Sequence, residues 1–144
     1  MIPVSTAVWD PKWYHDFKGN NYLYLDKRGV LNGVRIHPLM PGPSCDNLCH
    51  GTEGCESKPD SCAFLQKYYE QLCALSFEEF NQKLQYNCDK LARHYGLGTT
   101  AIPVIIVHET PDKLCSERQP IHRWYKENGV DIKEWNKSYL DGTY

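Results

Sequence analysis

Two groups of residues have the types and spacing to do chemistry. The first lies in residues 41–62, where Cys45, Cys49, Cys55 and Cys62 are separated by three, five and six residues and His50 stands beside Cys49. Four thiolates can close a tetrahedral zinc site, and soft sulfur ligands select zinc or an iron–sulfur cluster. The spacing predicts a structural zinc held by these four cysteines, since four protein ligands leave no open position; an iron–sulfur cluster is the alternative. Composition points the same way. Leu48 is the only large aliphatic residue in the segment, and a structureless stretch this long inside a small domain needs another source of order. A structural zinc supplies about 10 kcal/mol or more of apparent binding energy.

The second group follows the apolar run of residues 101–107. His108 and Glu109 come directly after it, and Thr110, Cys115, Ser116, Glu117 and Arg118 lead into a helix. In open α/β sheets, ligands bind beyond the carboxyl ends of strands, which brings in the end of the first strand at Thr6 and Trp9 as well. A carboxylate and an imidazole at a helix N-terminus can carry general acid–base work. Glu109 is the first choice for nucleophile or general base, with His108 and Cys115 as further catalytic candidates. A thiol just ahead of a helix is placed for activation. Arg118 and the helix end offer N–H groups to a phosphate. Adjacent strand residues point to opposite faces, so His108 and Glu109 do not both face a ligand if the strand continues through them. Arg28 and Arg35 are a second place to hold a phosphate or carboxylate, against the simpler reading as solvated surface. Trp9, Trp13 and Tyr14 can stack on a base or pack in a core.

These residues need elements to position them. Residues 2–9 read as a first strand, residues 34–39 as a short apolar segment ending near Pro38, and residues 101–107 as a central strand covered on both faces. A helix is expected over residues 63–74, with Cys73 on its apolar face. A second starts at Ser76, where Ser76 and Glu79 form a capping box and Phe77, Phe80, Leu84, Cys88, Leu91 and Tyr95 make one stripe ending at Gly96. Ser116 and Gln119 form another such box, with Pro120 in the first turn, and Asn128-Gly129 as the stop. Residues 130–135 then resume as a strand. Strand, helix, strand over about 35 residues is a βαβ unit. The predicted architecture is a single compact Rossmann-like three-layer α/β domain over residues 1–144, with a C-terminal βαβ unit and a Cys-rich metal-binding loop.

The run Val104-Ile-Ile-Val-His-Glu-Thr-Pro-Asp-Lys-Leu-Cys115, followed by Arg118, Trp124 and Gly129, resembles the C-terminal half of the domain-of-unknown-function 488 family. Its members show an apolar strand, a Glu, a short Pro-containing loop, and Cys-His-Arg opening a helix. The segment from Cys62 to Leu72 is similar to the family's central helix, and the opening with Ser5, Thr6 and Trp9 to its first strand. The resemblance implies a compact α/β domain with Glu109, Cys115 and Arg118 at family positions, and adds Ser5 to the ligand-binding candidates. Ser116-Glu117 departs from the single His that the family carries between Cys and Arg.

The 144 residues include 16 basic and 18 acidic side chains, a net charge of −2. That balance excludes a broadly basic nucleic-acid binder but leaves room for one small phosphate pocket. The N-terminus has no basic region leading into an apolar core, and the longest apolar run is far short of the roughly 20 residues that span a bilayer. The expectation is a cytoplasmic protein with reduced thiols and no membrane partner. Two functional readings follow. One is a nucleotide- or nucleic-acid-processing hydrolase or transferase, acting at an N-glycosidic bond through the Glu/His/Arg cluster. The other is a non-catalytic, metal-stabilised module that binds protein or nucleic acid. Thiol redox chemistry at Cys115 is weaker, since no second cysteine lies close to it in sequence.

Overall fold

A computed structural model describes residues 2–5, 34–45, 48, 53–94, 96, 103–107 and 113–132. The elements run in the order β1 (Ile2–Ser5), β2 (Val34–Arg35), α1 (Glu53–Ser57), α2 (Ala63–Cys73), α3 (Phe77–His94), β3 (Pro103–Ile106) and α4 (Arg118–Glu127), with 3-10 turns at His37–Leu39, Pro43–Cys45 and Pro59–Ser61. The chain divides into two compact units, one comprising Met1–Met40 and Ser76–His108, the other Pro41–Leu75 and Glu109–Tyr144.

The first unit holds the strands and α3. β1 pairs in parallel with both neighbours, Val4 opposite Val34 and Ile105, giving the order β2-β1-β3. β3 therefore lies at an edge of the described strands, not at the centre expected from its β-branched run, and Pro103, Val104 and Ile105 are half-buried. A proline at the first residue of an edge strand costs no ladder bond. Pro38 likewise converts the second apolar segment into a 3-10 turn after two strand residues. α3 follows its periodicity closely: Phe80, Leu84, Cys88, Leu91 and Ala92 are buried, and the helix packs on β3. Ser76 Oγ accepts the Glu79 N–H at 3.4 Å, as the capping box requires. Gly96, at φ 69°, closes the last turn with its N–H on the Arg93 carbonyl.

The second unit is helical. α2 presents Leu65, Tyr68 and Leu72 at steps of three and four, and α4 presents Pro120, Ile121, Trp124 and Tyr125; the two helices pack on each other. Each large apolar side chain removed from water there contributes about 1.5–3 kcal/mol. Cys73 is exposed rather than apolar-facing. On the outer side of the pair, the Arg123 guanidinium lies 4.0 Å over the Tyr69 ring, and Glu127 accepts from both the Tyr69 hydroxyl and Arg123 Nε. These two bonds, Tyr69's first, hold the Glu127 carboxyl below its ordinary range.

The Rossmann-like α/β expectation is corrected here. Helix dominates the described residues, the strands are two to four residues long, and β3 and α4 fall in different units. The predicted last strand of the C-terminal βαβ unit does not begin at Val130, for a local reason, and its residues 133–135 lie outside the described residues. Gly129 takes φ 84°, its N–H bonds the Lys126 carbonyl and that of Val130 bonds the Tyr125 carbonyl. This paired 5→2 and 6→1 closure is a Schellman cap. It turns Val130 back over the helix end, and His122 reaches Asp131 at 3.3 Å, so residues 130–132 serve as a cap instead of starting a strand. No helix among the described residues is long and apolar enough to cross a membrane.

Candidate metal centre

Three thiols meet in the second unit. Cys55 lies in the middle of α1, Cys62 directly precedes α2, and Cys115 lies in the loop that leads to α4. Their sulfur atoms are all within 4.8 Å of one another. Tetrahedral zinc with Zn–S bonds near 2.3 Å sets its sulfurs about 3.8 Å apart, so the group can close on one ion through shifts of about 1 Å or less. Cys62 and Cys115 are 5% and 1% exposed and form a small core with Leu65, against which Cys55 and Phe64 pack. No disulfide joins the described cysteines.

Specific hydrogen bonds hold the backbone at Cys62 and at Cys115. Cys62 follows the 3-10 turn Pro59–Ser61, donates its N–H to the Pro59 carbonyl at 3.1 Å, and accepts the Gln66 N–H as the first bond of α2. Glu56, next to Cys55, reaches across 58 residues. Its Oε1 accepts the Leu114 N–H and its Oε2 accepts the Cys115 N–H at 3.2 Å. On the other side of the same loop, Arg118 donates to the Lys113 carbonyl at 2.6 Å and to Ser116 Oγ at 3.0 Å, while Gln119 Nε2 donates to the Leu114 carbonyl.

Of the four cysteines predicted as ligands from spacing, Cys55 and Cys62 join the group and Cys49 lies outside the described residues. Cys45 is buried in the 3-10 turn Pro43–Cys45 and is not a member of this group. Cys115, expected as a catalytic thiol, stands beside Cys55 and Cys62 instead. Arg118, expected to hold a phosphate, grips its own loop through Ser116 and Lys113. The N-cap of α4 falls at Glu117, one residue later than the predicted Ser116. Ser116 Oγ accepts from the Arg118 N–H and Gln119 turns to Leu114, so no side chain caps the helix. Ser5 ends β1 opposite Arg35 and Ile106. Thr6, Trp9, Arg28, His50, His108 and Glu109 lie outside the described residues. Glu56 carries no motif in the sequence; only its position next to Cys55 marks it.

No family model matches the chain, and no curated protein and no solved structure matches it either.

Proposed function

We propose that the second unit is a metal-stabilised binding module in which Cys55, Cys62 and Cys115 hold one structural zinc ion. The observation that carries this reading is the convergence of three sulfur atoms within 4.8 Å from three separate elements. Soft thiolates favour zinc or iron–sulfur among biological metals. The close spacing favours a single ion, because a cluster of several irons holds its thiolates farther apart. Burial of Cys62 and Cys115 suits a structural centre, which excludes water, better than a catalytic one. The positive end of the α2 dipole at Cys62 favours the negative charge that a thiolate centre carries. α1 has five residues, too few to be stable alone, and a metal tie adds to the order that the Glu56 bonds to the loop before α4 give it. A donor other than these three thiolates takes the fourth position of the tetrahedron.

Metal analysis of the purified chain tests this directly. The expected result is close to one zinc per chain, and a thiolate-to-cobalt absorption band after cobalt substitution. That band should weaken in Cys55→Ser, Cys62→Ser and Cys115→Ser and persist in Cys45→Ser. A chain without metal, or one in which Cys45→Ser loses the ion and Cys115→Ser keeps it, overturns the assignment.

A further inference from the structure

The loop before α4 is gripped in an unusual way. The peptide group between residues 113 and 114 has its carbonyl held by Arg118 and its N–H held by Glu56 Oε1. The next peptide group, between residues 114 and 115, has its carbonyl held by Gln119 and its N–H held by Glu56 Oε2. Two consecutive peptide planes are thus fixed at both ends. Two donors on the two oxygens of one carboxylate set both the distance and the rotation of the backbone, which a single bond does not. The carboxylate belongs to the residue after Cys55, on a helix of only five residues, so the clamp and one thiol move as one body.

Resting on the metal reading above, we infer that Glu56 is a positioning residue for the metal: it sets the place of Cys115 Sγ opposite Cys55 and Cys62 before the ion arrives. Cys115 is the ligand most remote in sequence, and bringing such a segment back carries a loop-closure cost. With Glu56 in place, that cost is met in the metal-free fold, and the ion meets three thiols already gathered. The carboxylate does not itself ligate. Its charge is satisfied by the two N–H groups, and it acts through the backbone of Cys115. Partners that orient metal ligands in this way typically change affinity by about 10- to 100-fold when removed.

The experiment is a zinc competition titration of the full chain, with cobalt spectra, for wild type, Glu56→Ala, Glu56→Gln and Leu72→Ala. Glu56→Ala is expected to lower zinc affinity by about 10- to 100-fold while keeping the thiolate-to-cobalt band at saturating metal, because all three sulfurs remain. Glu56→Gln retains one acceptor oxygen and should fall between; it also serves if Glu56→Ala does not fold. Leu72→Ala weakens the α2–α4 packing without touching the clamp and should leave affinity near wild type. Affinity in Glu56→Ala within about twofold of wild type, or an equal loss in Leu72→Ala, overturns the inference. Absence of zinc and cobalt binding in the wild type overturns the metal reading instead. The clamp then remains readable in hydrogen exchange: the Leu114 and Cys115 amides should exchange faster in Glu56→Gln, and unchanged exchange removes the clamp too.

Discussion

The two units use cysteine in opposite ways. In the first, Cys88 is fully buried in the apolar stripe of α3 and behaves as a small hydrophobe; burial, with the Asp89 charge adding, pushes its thiol up to about 11. In the second, Cys55, Cys62 and Cys115 gather sulfur against sulfur. The same side chain packs as a small hydrophobe in one place and meets two other thiols in the other. The neighbours decide which: a regular helical face surrounds Cys88, whereas a turn, a five-residue helix and a loop converge on the other three.

The strongest way to break this contrast is to strip the metal. A structural zinc is worth on the order of 10 kcal/mol, comparable to the whole stability of an ordinary domain. On the proposed metal reading, chelation should therefore lower hydrogen-exchange protection in α1 and in the loop before α4 to what the Glu56 bonds alone supply, while α3 keeps its own. Equal loss in both units, or none in either, would remove the distinction.

A smaller effect sharpens it from the other side. The folded pKa of Cys88 is raised from 9.0 to about 11, so the neutral thiol's contribution is complete below pH 9 and is lost as pH rises through about 11. Two pKa units correspond to about 2–3 kcal/mol. Denaturant midpoints followed at α3 should fall over that window in wild type and flatten in Cys88→Ala. A slope retained in Cys88→Ala assigns the alkaline loss to another group. At the proposed metal centre protons would act in the reverse direction, since they compete with an ion for thiolates as pH falls.

The smallest predicted change is also local to the first unit. Ser76→Ala removes the oxygen that accepts the Glu79 N–H and should cost about 1 kcal/mol, visible in α3 and without effect on metal content. A change in zinc stoichiometry in this variant would mean that the two units are energetically coupled.

Legibility in the sequence follows the range of the interactions. α3 is largely readable: its Ser76 cap, its Gly96 stop and its stripe from Phe80 to Leu91 are encoded within four residues of where they act, while Phe77 is half-buried and Tyr95 lies outside the described residues. The stop of α4 at Asn128-Gly129 was readable for the same reason, but its consequence was not. Val130 looks like the start of a strand, and only the bond from its N–H to the Tyr125 carbonyl shows that it closes the helix. β3 gave a correct strand and a misleading position, because an apolar run says how a segment pairs with its surroundings on average and not which strands flank it. The thiol group is half readable. A Cys-rich segment poor in apolar residues points to ligation, and two of its four cysteines, Cys55 and Cys62, lie in that group. Cys115, read as a catalytic candidate because a thiol ahead of a helix has a local meaning of its own, lies beside Cys55 and Cys62.

Residue types and spacing by themselves determined α2, α3 and α4, the Ser76 cap and the glycine stops, since these depend on periodicity and turn chemistry. Only the tertiary structure decided that Cys115 meets Cys55 and Cys62, that Glu56 accepts its N–H, and that Arg118 serves its loop. Those contacts join residues more than fifty positions apart or spend donors on backbone carbonyls, and no local pattern of side chains records either.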